Sequence, residues 1–111
     1  MKVAVIGSRS FNDYEKLKDT LSKIDVSLLV SGGANGADKL GEQYANENNI
    51  PTKIFLPDWK KHGKAAGFLR NTDIINEAEL VVAFWDQQSN GTRDSIQKAE
   101  KQGKKVMIVT F

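Results

Sequence analysis

The sequence predicts an α/β fold, a three-layer sandwich of a five-stranded parallel sheet with helices on both faces. Five short runs rich in Val, Ile, Leu and Phe recur along the chain, and stretches with helical period separate them. The runs are almost continuously apolar rather than alternating, which marks strands buried on both faces. Their regular alternation with helices implies parallel strands joined by right-handed crossovers.

The first run, residues 2–6, ends at Gly7-Ser8-Arg9-Ser10. Tyr14, Leu17, Leu21 and Ile24 then recur at the three-and-four spacing of one buried helical stripe. A second strand, residues 27–30, runs into Ser31-Gly32-Gly33-Ala34-Asn35-Gly36-Ala37-Asp38, and Ala37, Leu40, Gly41, Tyr44 and Ala45 form the stripe of the next helix. Residues 53–56 read as the third strand, followed by Pro57-Asp58-Trp59 and a glycine-broken loop. Phe68, Ile75 and Ala78 mark one face of a third helix. The fourth strand, residues 80–84, leads into Trp85-Asp86-Gln87-Gln88-Ser89-Asn90-Gly91-Thr92. Ile96 and Ala99 lie on a fourth helix that Gly103 caps, and residues 106–109 form the last strand.

At 111 residues, 40% hydrophobic and 27% charged, residues 1–111 have the size of one domain, with no linker, repeat or low-complexity run to divide them. Sixteen Lys and Arg against 14 Asp and Glu give +2, too little for a protein that coats duplex nucleic acid, so any nucleic-acid role is local. The absence of cysteine excludes disulfides, thiolate zinc and a thiol nucleophile and fits a reducing cytosol; one histidine excludes a His-rich metal centre. No metal or cofactor is expected. No apolar run approaches the ~20 residues of a membrane span, and the opening Met-Lys-Val-Ala-Val-Ile-Gly is too short for a secretion signal. A soluble cytoplasmic protein is expected.

The polar and glycine-containing segments nearly all follow a strand, so four loops converge on the carboxyl edge of the sheet, where open α/β sheets bind ligands. Gly32, Gly33 and Gly36, between a strand and a helix, let backbone amides approach an anion at a helix N-terminus; a tight turn packed closely is the other reading. The loop lacks the Lys-Ser/Thr of a Walker loop and the G-x-G-x-x-G spacing, which disfavours ordinary ATP hydrolysis and NAD binding. Asp38 suits either ligand contact or the helix dipole of its first turn.

Residues 59–72 contain Lys60, Lys61, His62, Lys64 and Arg70 without one acid. Arg70 offers a planar fork for phosphate or carboxylate, and Lys64 between Gly63 and Ala65 is free to reach over a ligand. Lys60, Lys61 and His62 read as solvated. Trp59 and Trp85 suit either stacking on a base or core packing. Gly91-Thr92 opens the fourth helix, where amides and a hydroxyl hold a second polar group or simply cap the helix.

Gly7-Ser8-Arg9 with Phe11 and Asp13, Ser31-Gly32-Gly33-Ala34 with Gly36-Ala37-Asp38, Asp58-Trp59, Gly63-Lys64-Ala65-Ala66-Gly67, Arg70-Asn71, and Phe84-Trp85-Asp86 with Ser89 and Gly91-Thr92 form a recognisable set. Together they resemble the YspA/YpsA-like branch of the SLOG superfamily, a Rossmann-like group that also includes LOG and lysine-decarboxylase-like proteins and the DprA single-strand-binding fold. The resemblance covers essentially the whole chain. It implies a sheet of order 3-2-1-4-5, with the loops after strands one and four at the switch point. It also implies a nucleotide or nucleotide-derived ligand, which some members sense and others cleave at the N-glycosidic bond of a nucleoside monophosphate.

In the hydrolase members the fourth-strand loop reads Pro-Gly-Gly-x-Gly-Thr-x-x-Glu, with the Glu and an Arg at the third helix serving catalysis. Gly91-Thr92 matches and Arg70 sits where that Arg is expected, but Gln87-Gln88-Ser89 replace Pro-Gly-Gly. Ser95 stands in place of the Glu and lacks a carboxylate to stabilise an oxocarbenium-like ribose or activate water. Adjacent Asp94 is turned ~100° around the helix. The expected function is therefore ligand binding or sensing, with a nucleoside 5′-monophosphate phosphoribohydrolase as the alternative and single-stranded nucleic-acid binding third. The expected contacts are Gly7, Ser8 and Arg9; Ser31, Gly32, Gly33, Gly36 and Asp38; Asp58, Trp59 and Lys64; Arg70 and Asn71; and Gly91 and Thr92. Homo-oligomerisation is open, and no membrane partner is expected.

Overall fold

The computed structural model describes residues 1–111. Strands β1 (Lys2–Gly7), β2 (Leu28–Ser31), β3 (Thr52–Ile54), β4 (Leu80–Trp85) and β5 (Lys105–Thr110) form one parallel sheet of order β3-β2-β1-β4-β5. Between them run α1 (Tyr14–Ser22), α2 (Ala37–Glu47), a single-turn α3 (Trp59–His62), α4 (Ala66–Glu77) and α5 (Asn90–Lys101). No helix is long and apolar enough to cross a membrane.

The alternation of side chains along the central strands builds a core on each face. Val3, Val5, Val82 and Phe84 pack with Leu17 and Leu21 of α1 and Ala37, Tyr44 and Ala45 of α2. Ala4, Ile6, Val81 and Ala83 pack with Ile74 and Ile75 of α4 and Ile96 and Ala99 of α5. Both cores are almost wholly removed from water, and this burial of apolar area is the main favourable contribution to folding.

All five strands differ from the sequence expectation by one or two residues at an end, and three departures stand out. β3 stops at Ile54 rather than residue 56, because β2 ends at Ser31, whose carbonyl accepts the last bond, from Phe55 N at 2.8 Å. β5 runs from Lys105 to Thr110, longer than residues 106–109, because it pairs along all of β4 and its polar ends sit on the solvated edge. The expected loop before the third helix contains α3, capped by Asp58, whose Oδ1 accepts from Lys61 N at 3.1 Å. At the far end of α4, Lys104 Nζ donates to the carbonyls of Ile75 and Ala78 at 2.7 and 2.6 Å, satisfying acceptors the helix leaves open.

Candidate functional site

Strand connections diverge between β1 and β4, and a cavity of about 560 Å³ opens above their carboxyl ends. The two strands approach closely there: a Cβ on Gly7 would lie 2.3 Å from the Phe84 carbonyl oxygen. Ser8 fastens the floor. Its amide donates to Phe84 O at 2.9 Å, its hydroxyl accepts from Asp86 N at 3.1 Å, and its carbonyl accepts from Phe11 N and Ala37 N at 3.1 and 3.4 Å. Arg9 beside it is exposed, lines the cavity and forms no ion pair.

The glycine loop departs from expectation. Gly32 N and Ala34 N donate to Asp38 Oδ2 at 3.0 and 3.4 Å, and Gly33 N donates to Ser31 Oγ at 3.2 Å. The loop is thus wrapped around its own carboxylate, and these amides are not free for an anion. Gly36 is required: its φ is +82°, and a Cβ there would lie 2.4 Å from Ser8 O. Burial pushes the Asp38 carboxyl up to about 6, against the pull of the Ala34 amide, the Arg70 guanidinium and the Gly32 amide.

Arg70, at the first turns of α4, closes the opposite wall. Its Nη1 donates to Gly32 O at 2.5 Å and its Nε to Asn71 Oδ1 at 3.1 Å. Burial lowers its pKa, and Asp38 opposes the shift. Asn71 in turn donates through Nδ2 to Gly91 O at 3.3 Å and Asp94 Oδ2 at 3.2 Å, tying α4 to the start of α5. Asp94 also pairs with Lys98 at 2.8 Å, so it belongs to this brace rather than to the cavity lining.

Every fully buried side-chain nitrogen and oxygen is hydrogen-bonded. Arg70 Nη2, Asp38 Oδ1 and Ser95 Oγ have no protein partner and are not fully buried, and all three residues line the cavity. At its rim, Ser89 caps α5 through Thr92 N at 3.4 Å, while Asp86 Oδ1 accepts from Gln88 N and Ser89 N at 2.9 and 2.8 Å. Those two amides hold the Asp86 carboxyl below its ordinary range, with the Ser8 hydroxyl contributing less. The amides of Asn90 and Gly91 have no protein acceptor, and a Cβ on Gly91 would meet nothing within 4 Å. That end of α5 offers two unobstructed amide donors, beside the charged Asp86 carboxylate on the helix cap. Trp59 and Phe68, 55% and 48% exposed, form an aromatic lip with Lys64. Trp85 instead packs against the α4–α5 core and donates its Nε1 to Ser89 O at 3.2 Å.

Of the expected contacts, Gly7, Ser8, Arg9, Asp38, Trp59, Lys64, Arg70, Asn71, Gly91 and Thr92 line one cavity. Ser31, Gly32, Gly33, Gly36 and Asp58 do not. Ser31 donates to Glu42 Oε2 at 2.7 Å, Gly33 faces the Leu56 side chain, Gly32 and Gly36 shape the turn, and Asp58 caps α3. Sequence reasoning missed Ser10, Phe68, Asp86 and Ser89 as lining residues and used Ser95 only as a missing acid. For Asp86 and Ser89 the signal was their place in a loop following a strand.

The family model described as YspA, cpYpsA-related SLOG family matches residues 1–62. The chain belongs to this SLOG family. A relative, the Gene 61 protein of Mycobacterium phage D29, is 33% identical over 121 aligned positions, covering 99% of this chain and 95% of the phage protein. Among solved structures, this SLOG chain is similar to DNA processing protein A of Streptococcus pneumoniae, with a TM-score of 0.82 at 20% identity over 96% of its length. It is also similar to DNA processing protein A of Helicobacter pylori, described for its single-stranded DNA binding mode, with a TM-score of 0.75 at 23% identity over 97% of its length. The chain spans 49% and 64% of those two proteins, respectively, and the likeness establishes the fold.

Proposed function

We propose that this SLOG protein binds a nucleotide or nucleotide-derived ligand in the cleft at the carboxyl ends of β1 and β4. The supporting observation is the convergence of unpaired donors there: Arg9, Lys64, Arg70 Nη2 and the first amides of α5. The phosphate belongs at the start of α5, not in the glycine loop, whose Gly32 and Ala34 amides already hold Asp38. The base belongs against Trp59 and Phe68, the exposed aromatic faces of the lip. A volume of about 560 Å³ lies within the range of small-molecule sites.

Calorimetry against nucleoside mono-, di- and triphosphates and cyclic nucleotides tests this reading. Saturable binding that Arg70→Ala abolishes is expected; no binding, or binding indifferent to that change, overturns it. In the phosphoribohydrolase alternative the same cleft would release free base from nucleoside monophosphates, which chromatography detects. Ser95 leaves that reaction without a carboxylate at the position where hydrolase members carry Glu.

A second reading is single-stranded nucleic-acid binding. It is favoured by the fold shared with DNA processing protein A and by an exposed surface that places Trp59 and Phe68 among Lys60, Lys61 and Lys64. Affinity for oligonucleotides should then fall steeply with rising salt, and no gel shift at low salt overturns it.

A further inference from the structure

The cleft places carboxylates among its cations, and a site that gripped only phosphate would be weakened by them. We infer that Asp86 reads the sugar: the cleft takes a free ribonucleotide whose 2′- and 3′-hydroxyls donate to the Asp86 carboxylate, in preference to the 2′-deoxyribonucleotide. The inference rests on the nucleotide reading above and specifies its substrate class.

The two carboxylates of the lining differ in what they are already doing. Asp38 Oδ2 takes two amides of the glycine loop and has the Arg70 guanidinium as its counter-charge, so its place in the loop accounts for its presence. Asp86 forms no ion pair, although Arg9, Lys64 and Arg70 line the same cavity. Its Oδ1 is anchored by Gln88 N and Ser89 N, and its Oδ2 takes no backbone donor. A carboxylate has about four acceptor sites, and the two amides together with the neighbouring Ser8 hydroxyl leave a remainder for the hydroxyls of a ribose.

The anchoring also ties the carboxylate to the end of α5. Asp86 accepts from Ser89, the residue that caps α5, so the carboxylate and the free amides of Asn90 and Gly91 are held on one short loop. An anion repelled by Asp86 and attracted by the helix end and Arg9 has only one favourable orientation, with phosphate toward α5 and hydroxyls toward the carboxylate. A nucleotide inside a nucleic-acid strand carries a phosphodiester at its 3′ oxygen and offers no such diol. The site so read is for free ribonucleotides.

Calorimetry of the full chain with the four ribonucleoside 5′-monophosphates and their 2′-deoxy counterparts tests this. Because hydrogen bonds to charged groups are the strong ones, the deoxy ligands should bind about ten- to a hundred-fold more weakly. Asp86→Asn keeps an oxygen for the two amides and should bring each ribo/deoxy pair within about threefold. Equal affinities in the wild type, or a preference unchanged by Asp86→Asn, overturn the inference while leaving the nucleotide reading standing; binding of neither series overturns both. Should Asp86→Asn fail to fold, 3′-deoxy and 2′,3′-dideoxy monophosphates probe the same bonds on the wild type. A graded loss is expected, and undiminished affinity overturns the assignment.

Discussion

Acidification from neutrality should stabilise this protein, because Asp38 is enclosed by the glycine loop. In the folded chain its carboxyl titrates at about 6, against 3.8 for the free group. Between those values the folded state binds more protons than the unfolded state, so stability rises as pH falls from about 7 and the gain is complete below about 4. The displacement of about two pKa units corresponds to roughly 3 kcal/mol, a large share of the 5–15 kcal/mol typical of a small domain. Glu47, Glu77 and Asp86 have lowered values and act in the opposite sense, losing stability as pH falls through their folded values, which lie below the ordinary carboxylate range. Comparison with a variant that cannot titrate at this position therefore isolates Asp38 between pH 4.5 and 7. Asp38→Asn retains an oxygen for Gly32 N and Ala34 N but cannot titrate. Urea unfolding followed by tryptophan fluorescence across that window should show the wild type gaining stability toward pH 4.5 relative to the variant. Parallel profiles for the two proteins would refute the reasoning.

Arg70→Ala removes the bonds to Gly32 O and Asn71 Oδ1 and leaves Asp38 without its counter-charge, so it should cost about 2 kcal/mol at pH 7 and less at pH 4.5, where Asp38 is protonated; urea midpoints at the two pH values check this. Gly36→Ala drives a methyl into the carbonyls of Ser8 and Arg9 at a positive φ and should cost more than about 3 kcal/mol, whereas Gly91→Ala meets open space and should change thermal stability by less than about 1 kcal/mol while weakening nucleotide binding. Trp59→Ala should leave the unfolding temperature nearly unchanged, since the ring is 55% exposed, but lower nucleotide affinity about tenfold in calorimetry.

The layered architecture was legible because both periodicities are strong: Val3, Val5 and Ala4, Ile6 serve opposite faces of β1, and Leu17 with Leu21 forms a helical stripe. The strand order 3-2-1-4-5 came from family resemblance, since no local pattern tells a strand which neighbour to take. Site legibility was uneven for a definite reason. A glycine loop announces donors, but whether those donors are unoccupied depends on an acceptor several residues away. Asp38 is that acceptor, and its side chain turns back on Gly32 and Ala34 instead of merely resting on the helix dipole.

The sequence by itself determined the five strands, the four longer helices and most of the interior, and that the strand-end loops share one edge, because these follow from side-chain periodicity and chain connectivity; the short α3 and the exposure of Phe68 did not follow from it. Only the tertiary structure decided which polar groups at that edge are consumed internally and which remain open: the amides of Gly32, Gly33 and Ala34 are taken, while Arg70 Nη2, Ser95 Oγ and the amides of Asn90 and Gly91 are not. Hydrogen-bond partners are set by distances of a few ångströms, within a loop as at Asp38 or across the fold as between Arg70 and Gly32, and those distances exist only once the loops have packed against one another.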